Sequence, residues 1–414
     1  MTSTSAIELA QEIIDDCLAY GTWPSRALDA LIERALEEEN EFAARAATRA
    51  LFSIVIERLG DLFEPSLCEV YAKLFSHVIA RALPEHSADD LLLRYRRVRQ
   101  VRRFRGGEVQ RVFVLSRVTL GADVAVTSVA LAAAKERFPN AEICLVGPPK
   151  NAELFAADAR IVPVTVTYGR GSLLRERLLA AAELRSLVDE LRSIVIDPDS
   201  RLTQLGLIPV CDDSRYFFFE SRAFGGETDA SLPDLAAEWL CEVFDVAGVR
   251  PYAAPALQPR IADLTVSLGV GENAAKRLAG DFELHLLDTI LQQGRPVLLD
   301  CGAGGEESER VNALAERLGS PPLLHLHEGS YASFASHILQ SKLYVGYDSA
   351  GQHVAAAGGV PLVSVFTGHV CPRMFARWRP RGPHSNVVLV EESNRDNALE
   401  STVNAIAEAA GVAA

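Results

Sequence analysis

The sequence predicts an α/β chain: two Rossmann-like halves facing a cleft, preceded by an all-helical segment. Three observations carry this. Residues 1–105 repeat apolar side chains at helical spacing, with Ile13, Ile14 and Leu18 and later Leu51, Ile54, Val55 and Leu59. From Val109 the pattern changes to short apolar runs alternating with helices, as in a parallel sheet. A Pro/Ala-rich stretch at 253–259 interrupts that alternation, and the same layout then restarts. The expected division is 1–105, 106–255 and 256–414.

Pro24, Gly60, Pro65 and Pro84 cut the first segment into about four helices. It holds few polar residues with site-like chemistry, so docking, oligomerisation or acceptor recognition is its expected use. The stretch 94–105, RYRRVRQVRRFR, is its basic cluster. It reads either as a patch for an acidic acceptor or phospholipid head group, or as an amphipathic helix pairing with acids such as Glu37, Glu38 and Glu39. The second reading is preferred. Strands are expected at 112–115, 143–146, 161–166 and 193–196. In the second half they are expected at 264–267, 296–299, 323–326, 343–345, 362–365 and 387–390.

At 414 residues the chain exceeds one ordinary core. Its net charge of −14 argues against general binding to nucleic acid or to anionic membranes. The seven cysteines are scattered without a CxxC pair, so reduced, buried thiols are expected rather than a disulfide framework or zinc site. The N-terminus turns acidic at once, and no apolar run approaches the roughly 18 residues of a membrane span. A cytoplasmic protein is expected, with peripheral membrane contact still open.

The stretch LYVGYDSAGQHVAAAGGVPLVSVFTG, residues 343–368, is the most informative. An apolar strand meets a tight polar turn, and a small-residue helix starts near Gln352. The first N–H groups of a helix have no internal partners, so such a turn is a ready anion site. His353 would sit in the helix's first turn, beside a phosphate-bearing ligand.

Asp348-Ser349-Ala350-Gly351-Gln352-His353 resembles the D-[ST]-G-x-x-H signature of the heptosyltransferase-like glycosyltransferases of family 9, with Ala350 where the family has Gly. These are inverting enzymes of GT-B fold. A second match is the strand at 112–115 followed by Gly121-Ala122-Asp123, Thr127 and Phe138-Pro139, with one residue more than the family's Gly-Asp. The resemblance implies that Asp123 is the general base, which takes the acceptor hydroxyl's proton as it attacks the anomeric carbon. Asp at such a turn also commonly caps a helix, and both roles are compatible. The resemblance makes Thr127, in the same segment, an acceptor-contact candidate.

The glycine loop 266–277, with Gly271 and ending at Lys276 and Arg277, resembles the family's diphosphate loop. Lys276 would neutralise the leaving nucleoside diphosphate, the role a metal fills in other glycosyltransferases. Taken alone, a lysine after a turn is a common surface feature. After the strand at 296–299, Glu306 and Glu307 follow a Gly-rich turn. One of them would hold ribose hydroxyls, or both merely sit in a helix's first turn. Asp199, Arg201 and Gln204 follow the strand at 193–196 on the same cleft edge as Asp123. They are acceptor-contact candidates, or else a charged strand-to-helix junction. The aromatic stretch 216–219 with Glu220 and Arg222 suits sugar stacking, but such strands are more often core. His325 and His327 alternate on a strand without a third ligand at zinc-like spacing. Neither a P-loop nor a G-x-S-x-G elbow is present.

The resemblance thus implies a metal-independent inverting transferase. It would move a sugar, heptose among the candidates, from a nucleoside-diphosphate donor, ADP-linked in the family, to a glycan, lipid or protein acceptor. No separate cofactor is expected. Two alternatives stay open: a sugar-nucleotide epimerase of the same architecture, and a catalytically degenerate scaffold acting through its helical segment.

Overall fold

The first strand begins at Arg111, and the regular structure before it is helical. The computed structural model describes residues 4–169, 171–271, 273–302 and 304–412. Helix Ala6–Tyr20 opens on a capping box between Ser5 and Glu8 and ends at Gly21 in the left-handed region. Helices Ser25–Ala35 and Glu41–Ala50 follow. The second of these runs through a π-helical turn, Leu51–Ile56, into Glu57–Asp61. Pro65 then starts helix Pro65–Ala82, and Ser87 caps Ala88–Val98. The expected four helices are thus divided more finely, with extra breaks at residues the periodicity does not mark.

The strands of the first half are β1 (Arg111–Leu115), β2 (Glu142–Gly147), β3 (Ile161–Thr165), β4 (Ser193–Asp197) and β5 (Tyr216–Phe218). They form a parallel sheet in the order β3-β2-β1-β4-β5. The second half holds β6 (Leu264–Ser267), β7 (Val297–Asp300), β8 (Leu324–His327), β9 (Leu343–Tyr347), β10 (Leu362–Phe366) and β11 (Ser385–Leu389). These are also parallel, in the order β11-β10-β9-β6-β7-β8. Each expected strand has a counterpart, and the aromatic stretch supplies β5 at the edge of the first sheet.

Alternation along the strands sends neighbouring residues to opposite faces. In the first sheet Val112, Val114, Ile143, Leu145, Ile194 and Ile196 face one core. Phe113, Leu115, Cys144, Val146 and Val195 face the other. That second core is continuous through helix Leu174–Val188 with the helices of residues 6–98, including Leu28, Leu31, Val55, Tyr71 and Phe75. The helical segment is therefore built into the first sheet's core and is not a separately packed appendage. The opposite face of the first sheet shares a core with Leu298, Phe334, Tyr344, Val354 and Leu362 of the second half. The arginines of 94–105 do pair with acids, but with Asp213, Glu69 and Glu220 rather than with Glu37, Glu38 or Glu39.

In the first sheet the strand order reverses at β1 and β4, and in the second at β6 and β9. Loops leaving the carboxyl ends at such points line a crevice, where α/β folds take ligands. All the candidate motifs fall on these four loops or beside them.

Candidate active site

On the second sheet, β9 ends at Tyr347, and helix Ala350–Ala357 begins two residues beyond Asp348. Lys276 Nζ pairs with Asp348 Oδ2, and Gln352 Nε2 donates to Asp348 Oδ1. Ser364 on β10 donates to Gln352 Oε1 and holds that amide in place. Lys276 ends a short turn, Ala274–Lys276, capped by Asn273. Its neighbour Arg277 is drawn instead toward Glu283, 3.6 Å away, so Lys276 is the cation that reaches Asp348. Gly271 lies in the left-handed region on an exposed part of this loop.

Gly351 is required by packing: a Cβ there would lie 2.2 Å from Tyr344 Oη. Ser349 does not cap its own helix, and its hydroxyl is buried. His353 is buried with its ring edge-on to Trp378 at 5.8 Å. Burial pushes its pKa down to about 4; Asp348 opposes this and Lys276 adds to it. The imidazole is thus neutral near pH 7.

The two ribose candidates separate. Glu306 is exposed. Glu307 turns inward against Gly269 and Gly302, where a Cβ would lie 2.1 and 2.5 Å from its carboxylate oxygens. Burial and nearby Asp300 raise its pKa. Glu307 therefore stands between the carboxyl ends of β6 and β7.

On the first sheet the outcome differs from expectation. Asp123 has no exposed surface. Its Oδ2 accepts from Ser116 Oγ and Asn151 Nδ2, both at 2.5 Å. Its Oδ1 accepts from the Arg117 N–H and Thr127 Oγ1, both at 2.6 Å. Burial raises the pKa and the four donors oppose it. In this arrangement Asp123 organises the loop after β1 and offers no surface to an acceptor. Thr127 is likewise buried and committed to Asp123, at the end of a π-helical turn, Asp123–Thr127.

Asp199 is also enclosed rather than open. It accepts from Ser221 and from both Arg222 Nε and Nη2. Burial alone would raise its pKa; Arg222 and Arg117 outweigh that and hold it below the usual range. Gln204 has no exposed surface, and its carbonyl accepts from Tyr71 Oη at 2.9 Å. Asp199 and Gln204 therefore hold the loop after β4 together, and neither faces an acceptor as expected. Arg201 remains part-exposed, and its Nη1 has no hydrogen-bond partner.

The halves meet at the two motifs. A Cβ on Gly121 would lie 3.1 Å from Ala350 Cα and 3.3 Å from His353 Cδ2. The two departures from the family pattern, Ala350 and the extended Gly121-Ala122-Asp123 turn, therefore lie against each other. The helical segment enters the same region. The Phe63 carbonyl accepts from Arg373 Nη1 at 3.0 Å, and the Phe63 ring meets Trp378 edge-on at 6.3 Å. Sequence reasoning missed Gln352, Trp378 and Asn151 in these contacts. Gln352 lies inside a quoted motif, whereas Trp378 and Asn151 carry no local signal.

The second half carries the similarity to known protein sequences. Residues 274–405 match the model of glycosyltransferase family 9 (heptosyltransferase). The matched segment holds Lys276, Glu307, Asp348 and His353. Lipopolysaccharide heptosyltransferase 3 of Escherichia coli is 31% identical over 98 residues, 23% of this chain and 27% of that protein. The match thus spans about a quarter of the curated relative's length. Among solved structures, E. coli heptosyltransferase WaaC with ADP superposes at TM-score 0.55 and 16% identity, over 74% of this chain and 100% of that one. A family 9 glycosyl transferase from Veillonella parvula gives the same score and identity over 74% and 98%. The fold is GT-B, with the helices of residues 6–98 added to it.

Proposed function

We propose that the chain transfers a sugar, with inversion, from a nucleoside-diphosphate donor, ADP-heptose being the first candidate, to a glycan, lipid or protein acceptor. The observation that carries this reading is the Lys276–Asp348 pair at the start of helix Ala350–Ala357, inside the matched segment. A diphosphate placed there would meet an ammonium group and the unpaired N–H groups of a helix N-terminus. Lys276 would stabilise the charge that develops as the nucleoside diphosphate departs. Asp348, anchored by Gln352, would orient that lysine. Neutral His353 would add a hydrogen bond without competing for the negative charge. Glu307 would accept ribose hydroxyls.

In this reading residues 256–414 bind the donor and residues 106–255 face the acceptor. A solved heptosyltransferase carrying ADP has the same fold, which supports an adenine nucleotide as the first choice.

Incubation with ADP-heptose tests the reaction class. A transferase releases ADP, slowly to water and faster when a suitable acceptor hydroxyl is added. An epimerase would instead yield an isomeric nucleotide sugar with no ADP. Binding without either product would leave only the degenerate scaffold.

A further inference from the structure

Ser349 occupies the cap position of helix Ala350–Ala357 without acting as a cap. Serine there ordinarily accepts from an N–H of the first turn. Here the backbone is extended, at φ −153° and ψ −177°, and no side-chain cap bond forms. The first N–H groups of the helix therefore keep no side-chain partner. The Ser349 hydroxyl is itself buried, with no hydrogen-bond partner among the described residues.

A second hydroxyl lies beneath the same turn. Tyr344, on β9, has no exposed surface, and its ring belongs to the core shared by the two halves. Residues two apart share a strand face, so Gly346 leaves a lane along which the Tyr344 side chain reaches the turn. A Cβ on Gly346 would lie 2.5 Å from Tyr344 Oη, and a Cβ on Gly351 would overlap that oxygen. These two glycines stand on either side of Ser349 in the chain. Ser267 and Ser349 are the polar groups beside Tyr344 Oη. The oxygen nevertheless completes no hydrogen bond among the described residues.

Buried hydroxyls without partners cost stability and are uncommon in folded proteins. Phenylalanine would fill the space of Tyr344 without that cost, so packing alone does not account for the hydroxyl. Its place under a helix start that already carries Lys276 and Asp348 points to the donor.

We propose that Tyr344 is a positioning residue of the donor site and acts through Ser349. This inference rests on the function proposed above. A serine hydroxyl holds one proton and two lone pairs, and a tyrosine hydroxyl can donate to it. By donating to Ser349 Oγ, Tyr344 takes up a lone pair and leaves the serine proton for an oxygen of the diphosphate. Linked hydroxyls polarise one another in a low-dielectric interior. The serine contact therefore strengthens as charge develops on the departing diphosphate. Lys276 supplies the positive charge, and the hydroxyl pair sets the direction in which the phosphate is held.

Calorimetric titration of ADP into the intact chain, Tyr344→Phe, Ser349→Ala and the double variant tests this, with melting temperatures measured without nucleotide. Tyr344→Phe should bind ADP roughly 3- to 10-fold more weakly, the range of one net hydrogen bond. Its melting temperature should stay level or rise, because an unpaired buried hydroxyl is removed while the ring keeps its contacts. In the double variant, Tyr344→Phe should add no loss to that of Ser349→Ala, because the tyrosine acts through the serine. ADP affinity of Tyr344→Phe equal to that of the intact chain would overturn the inference alone. So would losses that add in the double variant, or a melting temperature that falls together with affinity, which marks a merely structural hydroxyl. An intact chain that does not bind ADP would overturn the underlying function, and the role of Tyr344 with it.

Discussion

Four donors converge on the Asp123 carboxylate, and that number decides what the residue can do. An Asp123→Asn change turns one acceptor oxygen into an NH₂ group facing existing donors. Leaving buried polar groups unmatched costs about 1–3 kcal/mol, so the denaturation midpoint should fall. A midpoint equal to that of the intact chain would show that the network is not formed. His353 carries a pH signature. Its pKa, about 4 in the fold against an ordinary value of 6.5, means stability is full above pH 6.5 and lost as pH falls toward 4. His353→Gln should flatten that part of a melting-temperature profile. At this scale the sequence was legible where a motif is local. Asp348 and His353 share one turn as their spacing suggested, and Lys276, singled out by the resemblance, pairs with Asp348. Asp199 and Gln204 were not legible, because whether a polar residue after a strand faces a crevice or a covering helix depends on partners such as Tyr71, more than a hundred residues away.

At the scale of elements, the strands were readable because apolar runs in a parallel sheet are short, β-branched and bounded by turns. Helix breaks in residues 6–98 were less so. The π-helical turn Leu51–Ile56 continues the apolar stripe while changing its register, and periodicity alone does not reveal that. Two glycines show how closely the elements meet. Gly351→Ala would drive a methyl group into Tyr344 Oη, 2.2 Å away. Overpacking of this kind typically costs about 1–3 kcal/mol, and the displaced helix start should weaken ADP binding as well. Gly121→Ala would press on Ala350 backbone across the junction, so it should alter turnover more than melting temperature. Kinetics and melting of the two variants, measured together, check both expectations.

The whole molecule is less divisible than its sequence suggests. Composition and periodicity mark a boundary near residue 105, but a periodic pattern does not say what its apolar face will cover. Here the helices continue a core that includes Phe113, Leu115, Val146 and Val195 of the first sheet. Fully burying one such side chain is worth about 1.5–3 kcal/mol, so a chain of residues 106–414 alone should aggregate or melt without cooperativity. A truncated chain with the intact melting temperature would contradict that packing. Among the described residues, no helix is long and apolar enough to cross a membrane. The central claim concerns the donor site at Lys276, and calorimetric titration of ADP, UDP and GDP into the intact chain and Lys276→Ala tests it most directly. The expected result is micromolar binding of ADP in preference to the other two, lost in Lys276→Ala while the fold is kept. Equal binding by both proteins, or none by the intact chain, would contradict a diphosphate site built on Lys276 and Asp348.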